Sequence, residues 1–264
     1  MTSPVAHLDG PTATQARGPV RFARYASPPN RLGYCGPGAT SGFAELIAAD
    51  AVAELRHSAR EFVAAFPYLE LLAGANRSKG HQAHPFPDAL ADPLAGAVVE
   101  AYWLGNSLLS HVSVADFGRS IDERFRRRAG RRWNHVERSV PAGVANHAYH
   151  VLVASPWVGL MRDGVVDEPL AIVDSCRISW GRVVGGCGDR PLVLRTPIAW
   201  ADGQLVWGTT GVEQVVSPTP VTIGDIVSLH WGQVCEVLTP AQLRWLAATT
   251  VSQMGVAARS GRPC

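Results

Sequence analysis

The apolar residues of this chain change their spacing near Ala145. Before that point they recur at three- and four-residue steps. Leu46, Ile47, Ala51, Leu55, Phe62, Val63 and Phe66 form one such stretch, and Val98, Val99, Tyr102, Trp103 and Leu108 another. That step is the period of an amphipathic helix. After Ala145 the apolar residues come in short runs rich in Val and Ile, separated by Gly, Pro and Asp, which read as strands and turns. The strand candidates include HVLVASPWVGLM (150–161) and PLAIVDSCRISWGRVV (169–184). Further candidates are PLVLRTPIAW, QLVWGTTGVEQVV and DIVSLHWGQVCEVL, with a hairpin turn at Ala201-Asp202-Gly203. A last helix starts behind Thr239, with Pro240 at its first position.

Helices first, mostly antiparallel strands next and one helix last predict an α+β fold rather than alternating α/β. The expected layout is a mobile tail at 1–20, then a single domain at 21–264. Within it a helical part at about 21–140 packs on a β-rich part at about 145–238, curled toward a barrel. A helix at about 239–255 closes the unit. The double proline Pro28-Pro29 is expected to end any helix there. Ser113 is expected to cap a helix at Val114–Arg128, with Asp116 in its first turn.

Composition narrows the function classes. A chain of 264 residues buries enough surface to need no disulfide staples. The formal charge of +2 gives no overall case for nucleic acid. Of the 24 basic residues only Lys79 is lysine, a bias that follows from a GC-rich coding sequence. The five cysteines are widely spaced and contain no CxxC pair, against both a disulfide scaffold and a zinc ribbon. No apolar run is long enough to span a bilayer and the N-terminus has no secretory pattern, so a cytoplasmic location is expected.

The stretch RLGYCGPGATSGF places Cys35, beside Tyr34, ahead of an apolar run expected to be helical. A thiol near a helix N-terminus has its pKa lowered and can act as a nucleophile. Such a nucleophile needs a base and a group to orient it. His150 and Asp174, on neighbouring strands of an expected hairpin, are the candidates. The other reading of Cys35 is a small buried residue at a turn.

A second constellation has metal-ligand chemistry. His147 and His150 share a face if their segment is helical, and Asp174 and Cys176 share one if theirs is a strand. Cys35, His147, His150 and Cys176 form a donor set suited to zinc, nickel or iron. His230, beside Trp231, and Tyr34 are secondary candidates. RFRRRAGRR (124–132) is the strongest charge cluster, a possible contact for an acidic surface or a solvated helix end. His81 and His84 are expected to be solvated.

Two resemblances add to these readings. YCGPGATSGFAELIA resembles the nucleophile segment of papain-like peptidases, which implies acyl transfer from an amide or ester, with a peptide among the substrates. Those enzymes carry a glutamine ahead of the cysteine, and here none lies between Gln15 and Gln82. RFARYASPPNRLGYCGP, PYLELLAGAN, VVEAYWLGNSLL, NHAYHVLVASPWVGL and IVSLHWGQVCEVLTPAQL resemble an uncharacterised bacterial family associated with [NiFe] hydrogenase gene neighbourhoods. That resemblance implies an accessory protein for assembly or metal handling, with a metalloenzyme subunit as partner. This chain departs from the family after Pro37, where Gly38-Ala39-Thr40 stands in place of an acidic residue.

Overall fold

The computed structural model describes residues 11–38, 42–79, 91–130 and 133–260. Helix α1 (Pro11–Arg31) is followed by α2 (Phe43–Ala48), α3 (Val52–Arg60), α4 (Phe66–Lys79), α5 (Gly96–Trp103), α6 (Val114–Ala129) and α7 (Trp133–Ser139). A helical turn at His147–Tyr149 runs on as a π-helical turn at His150–Ala154, together α8. Helices α9 (Pro156–Arg162) and α10 (Asp167–Cys176) come next. Strands β1 (Ser179–Cys187), β2 (Arg190–Arg195), β3 (Ile198–Ala201), β4 (Gln204–Trp207), β5 (Gly211–Gln214), β6 (Ile226–His230) and β7 (Gln233–Val237) precede α11 (Pro240–Ser260).

The α+β class holds. One sheet has the order β5-β2-β1-β6-β7 with antiparallel pairing throughout, and β3 and β4 form a separate hairpin. Neither sheet closes into a barrel. Asp202 and Gly203, both at positive φ, make the two-residue turn between β3 and β4. One apolar core runs from Phe22 and Tyr25 through Tyr68, Val99 and Leu152 to Ile178, Ile198 and Cys235, so helices and sheets share it. A smaller cluster of Val183, Val193, Val215, Val227, Leu229 and Val234 fills the main sheet.

Two predicted caps are formed. The Ser113 hydroxyl accepts the Asp116 amide at 3.1 Å ahead of α6. Thr239 and Gln242 exchange bonds at the start of α11, hydroxyl from amide at 3.2 Å and carboxamide oxygen from amide at 2.9 Å, as in a capping box.

The β-rich part starts later than the sequence suggested. Residues 147–176 are helical, not a strand hairpin. Short apolar runs fit a buried strand or a buried helix equally well. The local signals that decide are Ser155 before Pro156 at the start of α9, and Asp167 and Glu168 in the first turn of α10. The tail is shorter than expected, since α1 begins at Pro11 and residues 1–10 lie outside the described ones. Gly18 allows α1 to press on the 94–95 backbone, where a Cβ would sit 1.8 Å from the Leu94 carbonyl oxygen. The double proline does not end α1, which continues to Arg31 with Pro28 and Pro29 inside it. Burial of Phe22, Ala23, Tyr25 and Ala26 holds this helix despite its prolines. Arg21 adds ion pairs at 3.1 Å to both Glu100 and Glu236, tying α1 to α5 and β7. His81, His84 and part of the 124–132 charge cluster lie outside the described residues.

Candidate metal centre

Three elements that are far apart in the chain end at one point. The buried Asn146 caps α8, its side-chain oxygen accepting the Ala148 amide at 2.8 Å and its nitrogen donating to the Ala101 carbonyl at 2.7 Å. That clamp sets His147 at the first position of α8. Cys176 is the last residue of α10, and His230 the last of β6. The donor atoms of His147, Cys176 and His230 all lie within 4.8 Å of one another. Around them is a cavity of about 160 Å³, which Tyr34, Cys35, His150 and Trp231 also line.

The end of α10 shows how this convergence is held. The last carbonyls of a helix have no partner within it. Here Ser175 accepts the Trp231 amide at 2.9 Å, and Cys176 accepts Nε2–H of His147 at 2.9 Å. A carbonyl can only accept, so His147 carries its proton on Nε2, and Nδ1 takes the Tyr102 hydroxyl at 3.2 Å. Trp103 flanks both imidazoles, its ring centroid 4.7 Å from His147 and 5.7 Å from His230.

His230 is oriented by the double proline. Pro29 has no N–H, so in the helix the carbonyl four residues earlier, that of Tyr25, is left without its partner. His230 Nδ1–H donates to that oxygen at 2.6 Å. The bond fixes the tautomer and leaves Nε2, buried and unpartnered, as the free donor. Pro29→Ala restores a backbone N–H that competes for the Tyr25 carbonyl. The expected result in nitrogen NMR of the histidine rings is loss of the single Nδ1–H tautomer at His230. A ring signal identical to that of the parent would show that Pro29 has no part in it.

The site is apolar and nearly uncharged. Burial holds the His147 imidazole down to about 4 against the opposing Cys176 carbonyl. Burial and the neighbouring His147 hold His230 down to about 3. Burial pushes the Cys176 thiol up to about 12, with Cys35 adding to it and the Trp231 side chain opposing. Trp231 itself occupies a left-handed conformation, φ +51°, in the two-residue turn between β6 and β7. An aromatic residue there is strained by about 1–2 kcal/mol. Its ring stacks on Tyr34 with centroids 4.1 Å apart, so the pair walls one side of the cavity.

The nucleophile expectation fares differently. Helix α2 begins only at Phe43, so no helix N-terminus follows Cys35 directly. Burial pushes the Cys35 thiol up to about 11, opposite to an activated nucleophile, with the Gly36 backbone opposing. Cys35 and His150 line the same cavity, but Asp174 is not among its lining residues. On a helix, residues two apart face different ways, so Cys176 turns into the cavity and Asp174 away from it. Asp174 Oδ1 accepts Arg177 Nε at 3.0 Å and the Ile198 amide at 2.8 Å, and Oδ2 accepts Arg195 Nη2 at 2.8 Å. Its oxygens hold a junction between α10, β2 and β3 rather than an imidazole. His150 lies on the face of α8 that His147 uses, with ring centroids 6.3 Å apart, but outside the three-donor cluster.

The family follows from comparison of the whole chain, since the profile of a family of unknown function, DUF6390, matches residues 14–262. The chain belongs to this family. No curated protein and no solved structure matches it. Among the described residues no helix is long and apolar enough to cross a membrane.

Proposed function

We propose that this DUF6390 chain binds one divalent transition metal, zinc, nickel or iron, through His147, Cys176 and His230, with Cys35 as fourth ligand. The observation that carries this reading is the approach of the three donors to within 4.8 Å of one another. Metal bonds of about 2.0–2.3 Å need ligand atoms somewhat closer than that, which small side-chain rotations supply. His147 gives up either the Tyr102 hydroxyl or the Cys176 carbonyl to free a nitrogen.

Charge selects Cys35 as the fourth donor. A divalent ion with one thiolate and two neutral imidazoles keeps a net positive charge in an apolar cavity, which is costly. A second thiolate brings the site to neutrality, and Cys35 lines the same cavity. A tetrahedral set of two sulfurs and two nitrogens favours zinc by geometry. Such a closed set suits holding or passing on a metal better than catalysis, which keeps a ligand position open. The resemblance to a family associated with [NiFe] hydrogenase neighbourhoods supports the finer reading: a cytoplasmic accessory protein that handles metal for a hydrogenase subunit.

Metal analysis of purified protein tests this. The parent is expected to retain about one zinc, nickel or iron per chain after desalting. Cys176→Ser and His230→Ala are expected to lose stoichiometric metal while keeping the parent's circular dichroism. A parent without stoichiometric metal, after challenge with each of the three ions, removes the reading.

A further inference from the structure

Beside His150, which also lines the metal cavity, a guanidinium has no anionic partner among the described residues. Arg124, on α6, donates Nε–H to the Ser120 carbonyl at 2.8 Å. Its guanidinium lies 3.9 Å from the Tyr68 ring centroid and 5.3 Å from that of Phe125. Both terminal nitrogens are sealed from solvent and have no hydrogen-bond partner. By hydrogen-bond geometry the same holds for two neighbours, the Tyr68 hydroxyl and Nδ1 of His150, the hydroxyl lying close enough to Arg124 for that charge to oppose the effect of burial on it. The Tyr68 and His150 rings meet edge to face at 5.9 Å.

Buried polar atoms without partners are rare in native proteins, and those that occur mark an absent water, an ion or a functional site. Four such atoms, two on the guanidinium and two beside it, make a shared cause the simplest account. All four can donate a hydrogen bond, provided His150 carries its proton on Nδ1. A cation ringed by donors calls for an acceptor of negative charge. Beside them is a cleft of about 380 Å³, lined by Arg124, Phe125, His150, Glu123 and Arg127 among others. Glu123, exposed at this cleft, makes no ion pair with Arg124 among the described residues.

We propose that the cleft over Arg124 is a binding site for a small oxyanion, a carboxylate or a phosphate. The free edge of the guanidinium, formed by Nη1 and Nη2, matches such a group in a bidentate pair. The His150 ring, which also lines the cleft, supplies a further donor, and the exposed Arg127 on the rim adds attraction at the mouth. The nitrogens are closed off in this conformation, so the ligand enters by parting the cleft lining. Nothing in this site requires the metal reading to hold.

Calorimetric titration of the chelated full chain with acetate and, separately, with inorganic phosphate tests it. Saturable one-to-one binding of either is expected, and the arm that saturates names the class. Arg124→Gln is expected to weaken it by about tenfold or more, and Arg119→Gln, on the same helix but exposed, by less than about twofold. Should Arg124→Gln fold poorly, Arg124→Lys keeps the charge but loses the fork, and the same loss is expected. In the parent, the Arg124 guanidinium resonance is expected to shift in step with saturation. No saturation in either arm, equal affinity in the Arg124 variants, or an unmoved guanidinium signal overturns the proposal and leaves buried water as the partner.

Discussion

Replacing Asp174 by Asn is expected to destabilise the fold by about 3–5 kcal/mol, the cost of removing one partner from a buried ion pair. The Arg177 side chain is 2% exposed and the Asp174 side chain 12%. Arg195 retains Glu213 at 2.6 Å, so Arg177 is the charge left uncompensated. An asparagine oxygen can still accept two of the three donors, Arg177 Nε and the Ile198 amide, but it cannot balance a guanidinium. The measurement is the urea midpoint of the metal-free chain against its variant. The pH dependence has a definite sign. Burial raises the Asp174 pKa, but the Arg195 bond, the Arg177 charge and the Ile198 amide outweigh it and hold the carboxyl below its ordinary value. Stability from this group is therefore complete above the ordinary carboxylate range and lost as pH falls through the lowered value. The parent should lose its advantage over Asp174→Asn in strong acid and keep it at neutral pH. An unchanged midpoint at neutral pH would contradict the structural role and reopen the question of what Asp174 orients.

The same residue shows how far the sequence could be read. Read as a strand, PLAIVDSC puts Asp174 and Cys176 on one face. Val and Ile favour strands when half-buried, but here tertiary packing buries them in a helix. One change of period therefore moved the carboxylate from the site to a junction and left the thiol in place. Signals that act over a few residues were legible: the Ser113 and Thr239 caps, the Asp202-Gly203 turn, the period of α5. The donors Cys35, His147, His150 and Cys176 could be nominated by residue type alone, and all four line one cavity. Their geometry could not be nominated in that way. His230 ranked as secondary because nothing in its own neighbourhood says that a helix two hundred residues earlier offers it a carbonyl. That signal was in the chain as Pro28-Pro29, but a proline pair reads as a helix stop until the helix is seen to continue through it. Trp231 was equally hidden, because an aromatic residue is not expected where a two-residue hairpin turn demands positive φ.

Metal affinity is expected to rise steeply with pH across the whole accessible range, and the steepness counts the thiolates. A cysteine binds metal only after losing its proton, so each ligating thiol contributes one proton released per metal bound. Cys176 and Cys35 keep their protons up to about 12 and about 11, respectively. His147 and His230, with values near 4 and 3, are already neutral above about pH 5 and release nothing there. Between about pH 5 and pH 10 the apparent association constant should therefore climb about tenfold per pH unit for one thiolate and about hundredfold for two. The balanced charge of a two-sulfur site predicts the steeper line. Competition titrations against a chelator whose own pH dependence is subtracted give the slope directly. Cys35→Ser should halve it on the logarithmic scale and Cys176→Ser should do the same. A parent slope of one that Cys35→Ser leaves alone would reduce the ligand set to His147, Cys176 and His230. It would also leave the fourth coordination position open, which turns a closed holding site into one where a bound water or substrate meets the metal. A slope near zero would mean that no sulfur binds, and two neutral imidazoles in an apolar cavity would then be too weak a set to hold the ion.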